Sequence, residues 1–309
     1  MICGVNGMDR VLLSGASGLI GGALLPSLEQ AGAEVVKLVR GAPQNAGQIS
    51  WDSSGEDAEG SSLSPTAVSG FDAVVHLAGE TIVGRWTESK KRTIRESRVT
   101  GTRNLATALA RAERKPAVFV CASAIGFYGN RGEEALTEES ASGQGFLPEV
   151  CREWESASRI AAEAGIRTVN LRTGLVLSGK GGALEKMLTP FKLGLGGRIG
   201  SGRQWWSWIH IDDLVGGIQH ALRTGSLVGP VNMVGPSPIR NAEFTKVLAS
   251  VLGRPAIFPV PGFALGLAFG KLAAEELFLA SQRVEPAKLT KSGYGFQFSD
   301  VRGALESLV

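Results

Sequence analysis

The sequence predicts an α/β protein with a doubly wound parallel sheet. Short apolar segments typical of strands alternate with longer segments whose apolar residues recur at helical spacing, from residue 10 to residue 171. A glycine-rich turn, SGASGLIG at 14–21, joins the first strand to the first helix. Strands separated by helices imply right-handed crossovers, which cover both faces of a parallel sheet. Beyond this sheet we expect a smaller C-terminal lobe.

The elements follow in chain order. We predict strands at 10–14, 34–39, 73–77, 117–122 and 168–171, and helices at 19–31, 96–112 and 154–164. A glycine-rich stretch over 179–202 precedes an apolar return at 208–214. Pro and Gly then separate short helices at 241–252, 263–279 and 302–308. The boundaries we expect are an α/β domain over 9–235, in which 174–206 is an excursion, and a C-terminal lobe over 236–309.

Composition and charge exclude several classes of partner. Hydrophobic residues make up 43% of the 309 residues and the net charge is only +3, which fits a globular protein rather than a nucleic-acid binder. The densest basic stretch, 90–98, is interleaved with Glu96 and follows Glu88, as on a solvated helix face. The apolar segment 262–274 is interrupted by Lys271 and is shorter than the roughly 20 residues of a membrane span. We therefore expect neither a nucleic-acid nor a membrane partner.

The cysteines indicate a reducing compartment. Cys3, Cys121 and Cys151 are odd in number, scattered, and form no CxxC pair, which argues against disulfides and against a zinc site. The N-terminal residues lack the basic start and apolar run of a signal peptide. We expect a cytoplasmic location.

The turn at 14–21 predicts a site for the phosphates of a dinucleotide. Its first glycine permits a tight turn, the second lets the backbone approach a pyrophosphate, and the third lets the helix pack against the strand. The helix N-terminus adds free N–H groups and a positive dipole. The residues assigned to this site are Gly15, Ser17, Gly18, Leu19, Ile20 and Gly21. The alternative is an ordinary glycine turn in a protein with 42 glycines.

Arg40 predicts which dinucleotide is bound. It follows the strand that ends at Val39, where NAD-preferring proteins have an acidic residue for the ribose 2′-hydroxyl. An arginine favours a 2′-phosphate by charge and by bidentate hydrogen bonds. We therefore expect NADP(H) as cofactor, with Val39 and Arg40 in its site. The alternative is a strand-end arginine in solvent.

Several motifs together resemble a known family. They are SGASGLIG at 14–21, HLAGE at 76–80, SRVTGT at 97–102, SAIGFYG at 123–129, VCREWE at 150–155 and WIHIDDL at 208–214. This set resembles the atypical extended short-chain dehydrogenases/reductases called epimerase-family proteins, of the NAD-dependent epimerase/dehydratase superfamily. Residues 279–286 and 292–296 resemble the C-terminal domain of unknown function of that family. The resemblance implies a Rossmann-type sheet, a C-terminal substrate lobe and, by the habit of the superfamily, a homodimer.

The resemblance also implies further cofactor contacts. Leu77, Ala78 and Gly79 should lie under the adenosine ribose and phosphates, at the carboxyl end of the fourth strand. Arg98 should reach the phosphates, and Leu175 and Val176 should flank the nicotinamide. Three alternatives stay open: Leu77 and Val176 as plain core residues, and Arg98 as a helix-surface charge.

The catalytic motif of the superfamily is missing. Its members use a Tyr-x-x-x-Lys pair on the helix after the fifth strand, where the phenol exchanges a proton with the substrate. Here that helix begins VCREWE, and the only tyrosines are Tyr128 and Tyr294. Ser123 matches the substrate-orienting serine, and we predict Tyr128, on the same loop, as its proton-donating partner. The alternatives are that Ser123 caps a turn while Tyr128 packs in the cleft wall, or that Cys151 is a nucleophile.

Aromatic and acidic clusters near residue 208 have two interpretations each. Trp205, Trp206 and Trp208, preceded by Arg203, would form a platform for a flat ligand or pack between the lobes. Alternation on a strand would place His210 and Asp212 on one face and Asp213 on the other, with Asp213 as N-cap of a helix through residue 222. This arrangement argues against a metal site. We interpret His76 and His220 as structural histidines.

Two functions remain open. The first is an NADP(H)-dependent oxidoreductase or epimerase-like enzyme acting on an unidentified small molecule between the sheet and the C-terminal lobe. The second is a non-catalytic NADP(H)-binding regulator of the cell-division-inhibitor type, suggested by the missing Tyr-x-x-x-Lys pair. The fold alone does not choose between them.

Overall fold

A parallel sheet and its crossover helices organise the chain. The computed structural model describes residues 8–53, 55 and 62–309, so Cys3 lies outside the described residues. The strands are β1 Arg10–Ser14, β2 Glu34–Val39, β3 Gln48–Ser50, β4 Ala73–His76, β5 Val118–Ala124, β6 Ala135–Leu136, β7 Arg167–Thr173, β8 Leu175–Leu177, β9 Trp205–Trp206, β10 Trp208–His210, β11 Gly229–Met233, β12 Ile239–Arg240 and β13 Arg283–Val284.

The helices cover both faces of this sheet and build the C-terminal lobe. They are α1 Leu19–Gln30, α2 Glu88–Arg111, α3 Phe146–Glu163, α4 Gly182–Lys192, α5 Ile211–Arg223, α6 Asn241–Leu252, α7 Gly262–Phe269, α8 Lys271–Ala273, α9 Ala287–Lys291 and α10 Val301–Glu306. A 3₁₀ turn spans Ile125–Tyr128, and a π-helical turn spans Ala274–Leu279.

Seven strands form the central sheet in the order β11-β7-β5-β4-β1-β2-β3, and all pair in parallel. Helices α1 and α5 pack on one face, and α2 and α3 on the other. Since both faces are covered, successive strand residues are all buried: Val11 and Leu13 join the α1 and α5 side, whereas Leu12 joins the α2 and α3 side. The predicted doubly wound α/β fold is confirmed.

The strand order reverses direction at β1. The chain passes from β1 to β2 and β3 on one side, and returns to β4, β5, β7 and β11 on the other. Diverging crossovers leave a crevice outside the carboxyl ends of β1 and β4, where doubly wound folds bind ligands. Ser14 at the end of β1 lies beside His76 at the end of β4. The glycine turn opens directly into this crevice.

After β7 the chain leaves the central sheet and returns to it at β11. Strand β8 pairs with β10, and β9 pairs with β12, in separate two-stranded sheets. Helix α4 of this segment shares an apolar core with α6 and α10, in which Leu184, Leu188, Phe244, Leu248 and Leu305 are buried. The excursion and the C-terminal lobe therefore share one core beside the carboxyl edge of the sheet.

Two predictions about the later elements are wrong. The predicted helix 263–279 breaks at Gly270, whose φ of +89° separates α7 from α8 and the π-helical turn. The strand alternation predicted for His210 to Asp213 is not observed, because β10 ends at His210 and α5 begins at Ile211. Although α7 reads GFALGLAF without a polar side chain, no helix within the described part of the chain is both long and apolar enough to cross a membrane.

Candidate functional site

The glycine turn needs two of its glycines, Gly15 and Gly21, because the backbone around each of them is too close for a side chain. Gly15 has a φ of +74°, and a Cβ there would lie 2.7 Å from the carbonyl carbon of Leu77. A Cβ on Gly21 would lie 2.2 Å from the carbonyl oxygen of Gly15. The N-cap of α1 is Gly18, which has no side chain to accept from the first-turn N–H groups. These N–H groups, next to exposed Ser17, are left for an anion.

The loop after β4 is held against this turn by Ser14. Its hydroxyl accepts from the backbone N–H of Leu77 at 3.2 Å and of Ala78 at 3.4 Å. His76 Nδ1 lies 2.6 Å from the same hydroxyl, and its Nε2 lies 3.0 Å from Thr102 Oγ1. Burial lowers the pKa of His76 to about 4, so its ring is neutral at pH 7 and serves as a structural hydrogen-bonding group.

Arg98 brings a positive charge to the crevice. Its guanidinium donates to the carbonyl oxygens of Ile94, at 3.1 Å, and Glu80, at 2.9 Å, and lies over the ring of Trp154 at 5.2 Å. A Cβ on Gly79 would lie 3.5 Å from the same guanidinium. Burial lowers the pKa of Arg98, but an arginine remains charged at pH 7. Held by neutral carbonyls, this charge favours an anionic ligand.

Other cations surround Arg98. Lys90 Nζ lies 2.8 Å from Glu80 Oε1, and this hydrogen bond, followed by the charges of Lys90 and Arg40, lowers the pKa of Glu80. Arg40 itself is exposed just after β2. Three cations around one carboxylate leave the carboxyl edge of β1, β2 and β4 positively charged.

Only some of the remaining residues predicted to bind the cofactor line the cleft. Ile20, Leu77, Gly79, Arg98 and Leu175 line the cleft that continues from the crevice. Leu19 instead lies against the start of α4, since a Cβ on Gly182 would lie 2.9 Å from its Cδ2. Val176 packs against the core beneath α1 and α5, and Val39 uses its carbonyl oxygen to accept from Trp51 N.

The cleft has a volume of about 650 Å³ and lies between the carboxyl edge of the sheet and the C-terminal lobe. This size falls in the range of small-molecule sites. Its floor includes Ser123, Cys151 and Trp154, and its outer wall includes Trp205 and Trp206. The structure thus brings the glycine turn, Arg98, Ser123 and two of the three tryptophans to one cavity.

Ser123 is hydrogen-bonded to a buried ion pair that no motif in the sequence indicated. Its hydroxyl donates to Glu155 Oε1 at 2.8 Å, and both carboxylate oxygens of Glu155 accept from Arg172, at 2.8 and 2.9 Å. Arg172 is 4% exposed and Glu155 13% exposed. Because the hydroxyl hydrogen is used, the lone pairs of Ser123 remain available on the cleft side.

Tyr128 lies on the far side of this ion pair. It is completely buried, its hydroxyl donates to Asn232 Oδ1 at 2.7 Å and accepts from Arg172 at 3.0 Å, and burial raises its pKa. Among the described residues that line the cleft there is no tyrosine. Tyr128 therefore has a structural role here, and we do not assign it as the proton donor to the substrate.

Cys151 lies on the cleft face of α3, four residues before Glu155. Its thiol donates weakly to the carbonyl oxygen of Ala124 at 3.8 Å, and burial raises its pKa to about 12. The thiol therefore stays protonated at pH 7, which disfavours the nucleophile interpretation. Cys151 and Glu155 have the spacing of the Tyr-x-x-x-Lys pair without its chemistry.

Glu276 of the C-terminal lobe closes the cleft at the start of α3. Its carboxylate oxygens accept from the N–H groups of Phe146 and Leu147 at 2.8 and 2.7 Å. Gly145 permits this contact, since a Cβ there would lie 2.6 Å from Glu276 Oε1. The link joins positions 130 residues apart, so no sequence spacing indicated it.

The tryptophan cluster is split between surface and core. The Trp205 indole N–H donates to Glu133 at 3.0 Å, and its ring lies under Arg240 and Arg283, at 4.6 and 5.2 Å. The cations beside this ring are therefore these two arginines rather than Arg203. Trp208 is buried and donates to the carbonyl oxygen of Ser237.

The predicted N-cap at Asp213 is wrong. His210 is the N-cap of α5, and its Nδ1 accepts from Asp212 N at 3.1 Å. Asp213 is buried and accepts from the N–H groups of Gln297 and Phe298 at 2.7 and 3.0 Å, which anchors the C-terminal segment. Of the residues whose positions are described, no group of three His, Cys, Asp or Glu is placed to hold a metal.

The reversing parallel sheet and the glycine turn at its switch point are the features of a Rossmann-type dinucleotide-binding protein. The family model of the NAD dependent epimerase/dehydratase family matches residues 11–234. A second model, domain of unknown function DUF1731, matches residues 260–308. The chain therefore belongs to the NAD-dependent epimerase/dehydratase family, as its motifs predicted.

Individual relatives agree over nearly the whole chain. An epimerase family protein of Mycobacterium bovis is 41% identical, and the alignment covers 96% of each chain. The crystal structure of human epimerase family protein SDR39U1 with NADPH has a TM-score of 0.88 at 35% identity, covering 97% of this chain and 98% of that one. A nucleoside-diphosphate sugar epimerase from Corynebacterium glutamicum has a TM-score of 0.79 at 40% identity, covering 96% of this chain and 57% of that one.

Proposed function

We propose that this protein binds NADPH in the crevice and acts as an oxidoreductase or epimerase-like enzyme on a small molecule in the adjoining cleft. One observation carries the proposal: the uncapped glycine turn and the buried charge of Arg98 open into a cleft of about 650 Å³. The human relative that crystallised with NADPH supports the choice of cofactor.

The chain offers a separate contact for each part of the cofactor. The N–H groups of the α1 start and the Arg98 guanidinium would hold the phosphates. Arg40, exposed beside the positive edge, would hold the 2′-phosphate, and Leu175 would contact the nicotinamide from the cleft wall. When bound, NADPH supplies a hydride to an electrophilic carbon such as that of a carbonyl, and NADP⁺ accepts one in the reverse direction.

Protein groups orient the substrate in this proposal. Ser123 presents its lone pairs to a substrate hydroxyl, because its own hydrogen is held by Glu155. The ion pair with Arg172 fixes Glu155, so the carboxylate positions Ser123 and is not itself a base for the substrate. Tyr128 does not line the cleft, so the substrate oxygen would exchange its proton with water in the cleft.

A non-catalytic NADPH-binding regulator is the second candidate, and one observation favours it. Cys151 and Glu155 stand at the spacing of the superfamily's proton-transfer pair, one as a protonated thiol and the other in a buried ion pair. Whichever function holds, we also propose a cytoplasmic location, supported by the free thiols of Cys121 and Cys151.

One experiment separates these functions. Purified protein is titrated with NADPH and NADH by cofactor fluorescence, and NADPH oxidation is then followed against sugars, aldehydes and quinones. Turnover by one compound, reduced at least tenfold in Ser123→Ala with NADPH affinity retained, would support the enzyme. NADPH-selective binding without turnover would favour the regulator, and absence of binding would overturn both.

A further inference from the structure

Most polar side chains that line the cleft already have partners within the protein. Ser207 Oγ donates to Gln282 O at 2.8 Å, and Gln282 Nε2 donates to Ile125 O at 3.0 Å. Asn241 Oδ1 accepts from Ile199 N at 2.7 Å, and Thr173 Oγ1 donates to Leu171 O at 3.2 Å. Both carboxylate oxygens of Glu276 accept from backbone N–H groups at the start of α3. A ligand with many hydroxyl groups would find few free partners here.

The wall facing the C-terminal lobe is apolar and rich in aromatic rings. Its side chains come from α4, α6, α7, the π-helical turn and the segment between them: Met187, Phe191, Leu195, Ile199, Phe244, Val260, Phe269, Leu277 and Phe278. Phe269 and Phe278 pack against each other with ring centroids 5.0 Å apart. Such a surface gains free energy by burying hydrocarbon and loses it by desolvating unpaired polar groups.

Cations are scarce at this end of the cleft. Among the described residues lining it, the cations are Arg98, beside Gly79 at the cofactor phosphates, and Lys186, on the exposed face of α4. A nucleoside diphosphate carries at least two negative charges, which proteins usually pair with arginine, lysine or free backbone N–H groups. The cofactor proposed above would already use Arg98.

The apolar surface continues out of the cleft to solvent. Residues 193–200 run beside 255–260, joined by the bonds Phe258 N to Gly196 O and Val260 N to Arg198 O. Along this pair of segments Leu193, Leu195, Ile257 and Phe258 are exposed. On neighbouring α7, Phe263 and Leu267 are 73% and 74% exposed. Exposed apolar side chains contiguous with a cavity mark a path for an apolar ligand.

We propose that the second ligand of this cleft is an uncharged, largely hydrocarbon molecule with one oxygen function, such as a long-chain alkyl ketone or aldehyde, and not a nucleotide sugar. The carbonyl group would lie at the nicotinamide end of the cleft, where the hydroxyl formed on its reduction would donate to the lone pairs of Ser123. The hydrocarbon would lie against the aromatic wall. This inference rests on the proposed function only for the end of the cleft that the nicotinamide occupies.

Calorimetric titration of the NADP⁺-saturated protein tests the ligand class without turnover. The probes are hexan-2-one, octan-2-one, decan-2-one and UDP-glucose. We expect one saturable site per chain, with affinity rising about fifteenfold for each pair of added methylenes, and no binding of UDP-glucose. Tighter binding of UDP-glucose than of decan-2-one, or ketone affinities independent of chain length, would overturn the proposal.

A substitution in the apolar wall localises the site. Met187→Asp should weaken decan-2-one binding at least tenfold, whereas the matched variant Met187→Leu should change it less than threefold. Equal affinities in both variants would place the ketone elsewhere and contradict the proposal. NADP⁺ affinity is measured for each protein: if the cofactor fails to bind to the wild type, the proposed function fails, while the ketone series on the cofactor-free protein still decides the ligand class.

Discussion

At the scale of single residues, we propose that Arg40 selects NADPH over NADH. It is exposed after β2, next to the positive edge formed with Lys90 and Arg98. Arg40→Asp should weaken NADPH binding by about tenfold to a hundredfold, because a charge-assisted hydrogen bond of about 1.5–3 kcal/mol is lost. NADH affinity should change by less than threefold. Cofactor fluorescence titrations measure both values.

The matched control is Arg223→Asp, which makes the same charge change at the end of α5. There, neighbouring carbonyl groups of 221 and 222 accept from Arg167 at the start of β7, so this position lies at the opposite edge of the sheet. Its NADPH affinity should match the wild type. If Arg40→Asp weakened NADH and NADPH equally, Arg40 would not contact the 2′-phosphate.

Gly15 tests whether the turn needs its glycine for backbone contact. Gly15→Ala adds a Cβ at positive φ and 2.7 Å from the Leu77 backbone, so we expect a loss of about 1–3 kcal/mol in the free energy of unfolding. Gly22→Ala is the control: its Cβ would meet nothing nearer than 3.8 Å, and alanine inside α1 should stabilise by about 0.5–1 kcal/mol. Urea unfolding of both variants gives the comparison, and similar changes in both would contradict the packing described.

Residue-level prediction from the sequence succeeds where the chemistry is local. The glycine turn could be predicted because its residues are adjacent and each glycine has a distinct steric reason. Ser123, Glu155 and Arg172 come from β5, α3 and β7, and no periodicity relates their positions. Tyr128 illustrates the same limit, since the sequence shows its loop but not that its side chain points away from the cleft.

At the scale of elements, helix starts are the least predictable feature. The prediction began α2 at 96 and α3 at 154, whereas they begin at Glu88 and Phe146. The first turns of α2 are largely charged and show no apolar period, although Thr87 caps them through Lys90 N. The N-cap residue of α3, Gly145, has no side chain to accept from the first-turn N–H groups. The carboxylate of Glu276, far along the chain, accepts from them instead. The five strands predicted between residues 10 and 171, by contrast, are short apolar runs and were located within two residues, whereas β3 and β11 of the same sheet were not predicted.

Glu276 should therefore stabilise α3 and the lobe contact together. Glu276→Gln removes the negative charge at the helix N-terminus and one of two acceptor oxygens, so we expect a loss of about 1–2 kcal/mol in the free energy of unfolding. Amide hydrogen exchange at Phe146 and Leu147 should accelerate as well. Both are measured on the full chain.

Glu275→Gln is the adjacent control. Glu275 is half exposed and its nearest cation, Lys271, lies 3.9 Å away, so its loss should change stability by less than about 0.5 kcal/mol. Unchanged exchange at residues 146 and 147 in Glu276→Gln would show that the carboxylate does not cap α3.

At the scale of the whole molecule, the sheet was predictable and the position of the lobe was not. The strand and helix alternation leads directly to a doubly wound sheet, and the switch point follows from the strand order. The shared core of α4, α6 and α10 depends on contacts between distant segments, which apolar periodicity does not specify. The homodimer implied by the resemblance stays a prediction.

The buried histidine beneath the crevice gives the whole molecule a specific acid sensitivity. His76 is completely buried, and burial lowers its pKa from 6.5 to about 4. As pH falls below 6.5, the unfolded chain binds a proton at His76 while the folded protein does not. The stability contributed by the neutral ring is therefore complete above pH 6.5 and lost between pH 6.5 and about 4, by about 3 kcal/mol in all.

His76→Gln keeps a hydrogen-bonding side chain without this titration. Although the variant should be less stable at pH 7, its free energy of unfolding should fall by about 2–3 kcal/mol less than that of the wild type between pH 7 and about 4.5. Urea unfolding at a series of pH values measures both slopes. His210 and His220, whose pKa values burial also lowers, are present in both proteins and cancel from the comparison. Parallel slopes would mean that the folded protein accommodates a charged His76 and would contradict the lowered pKa.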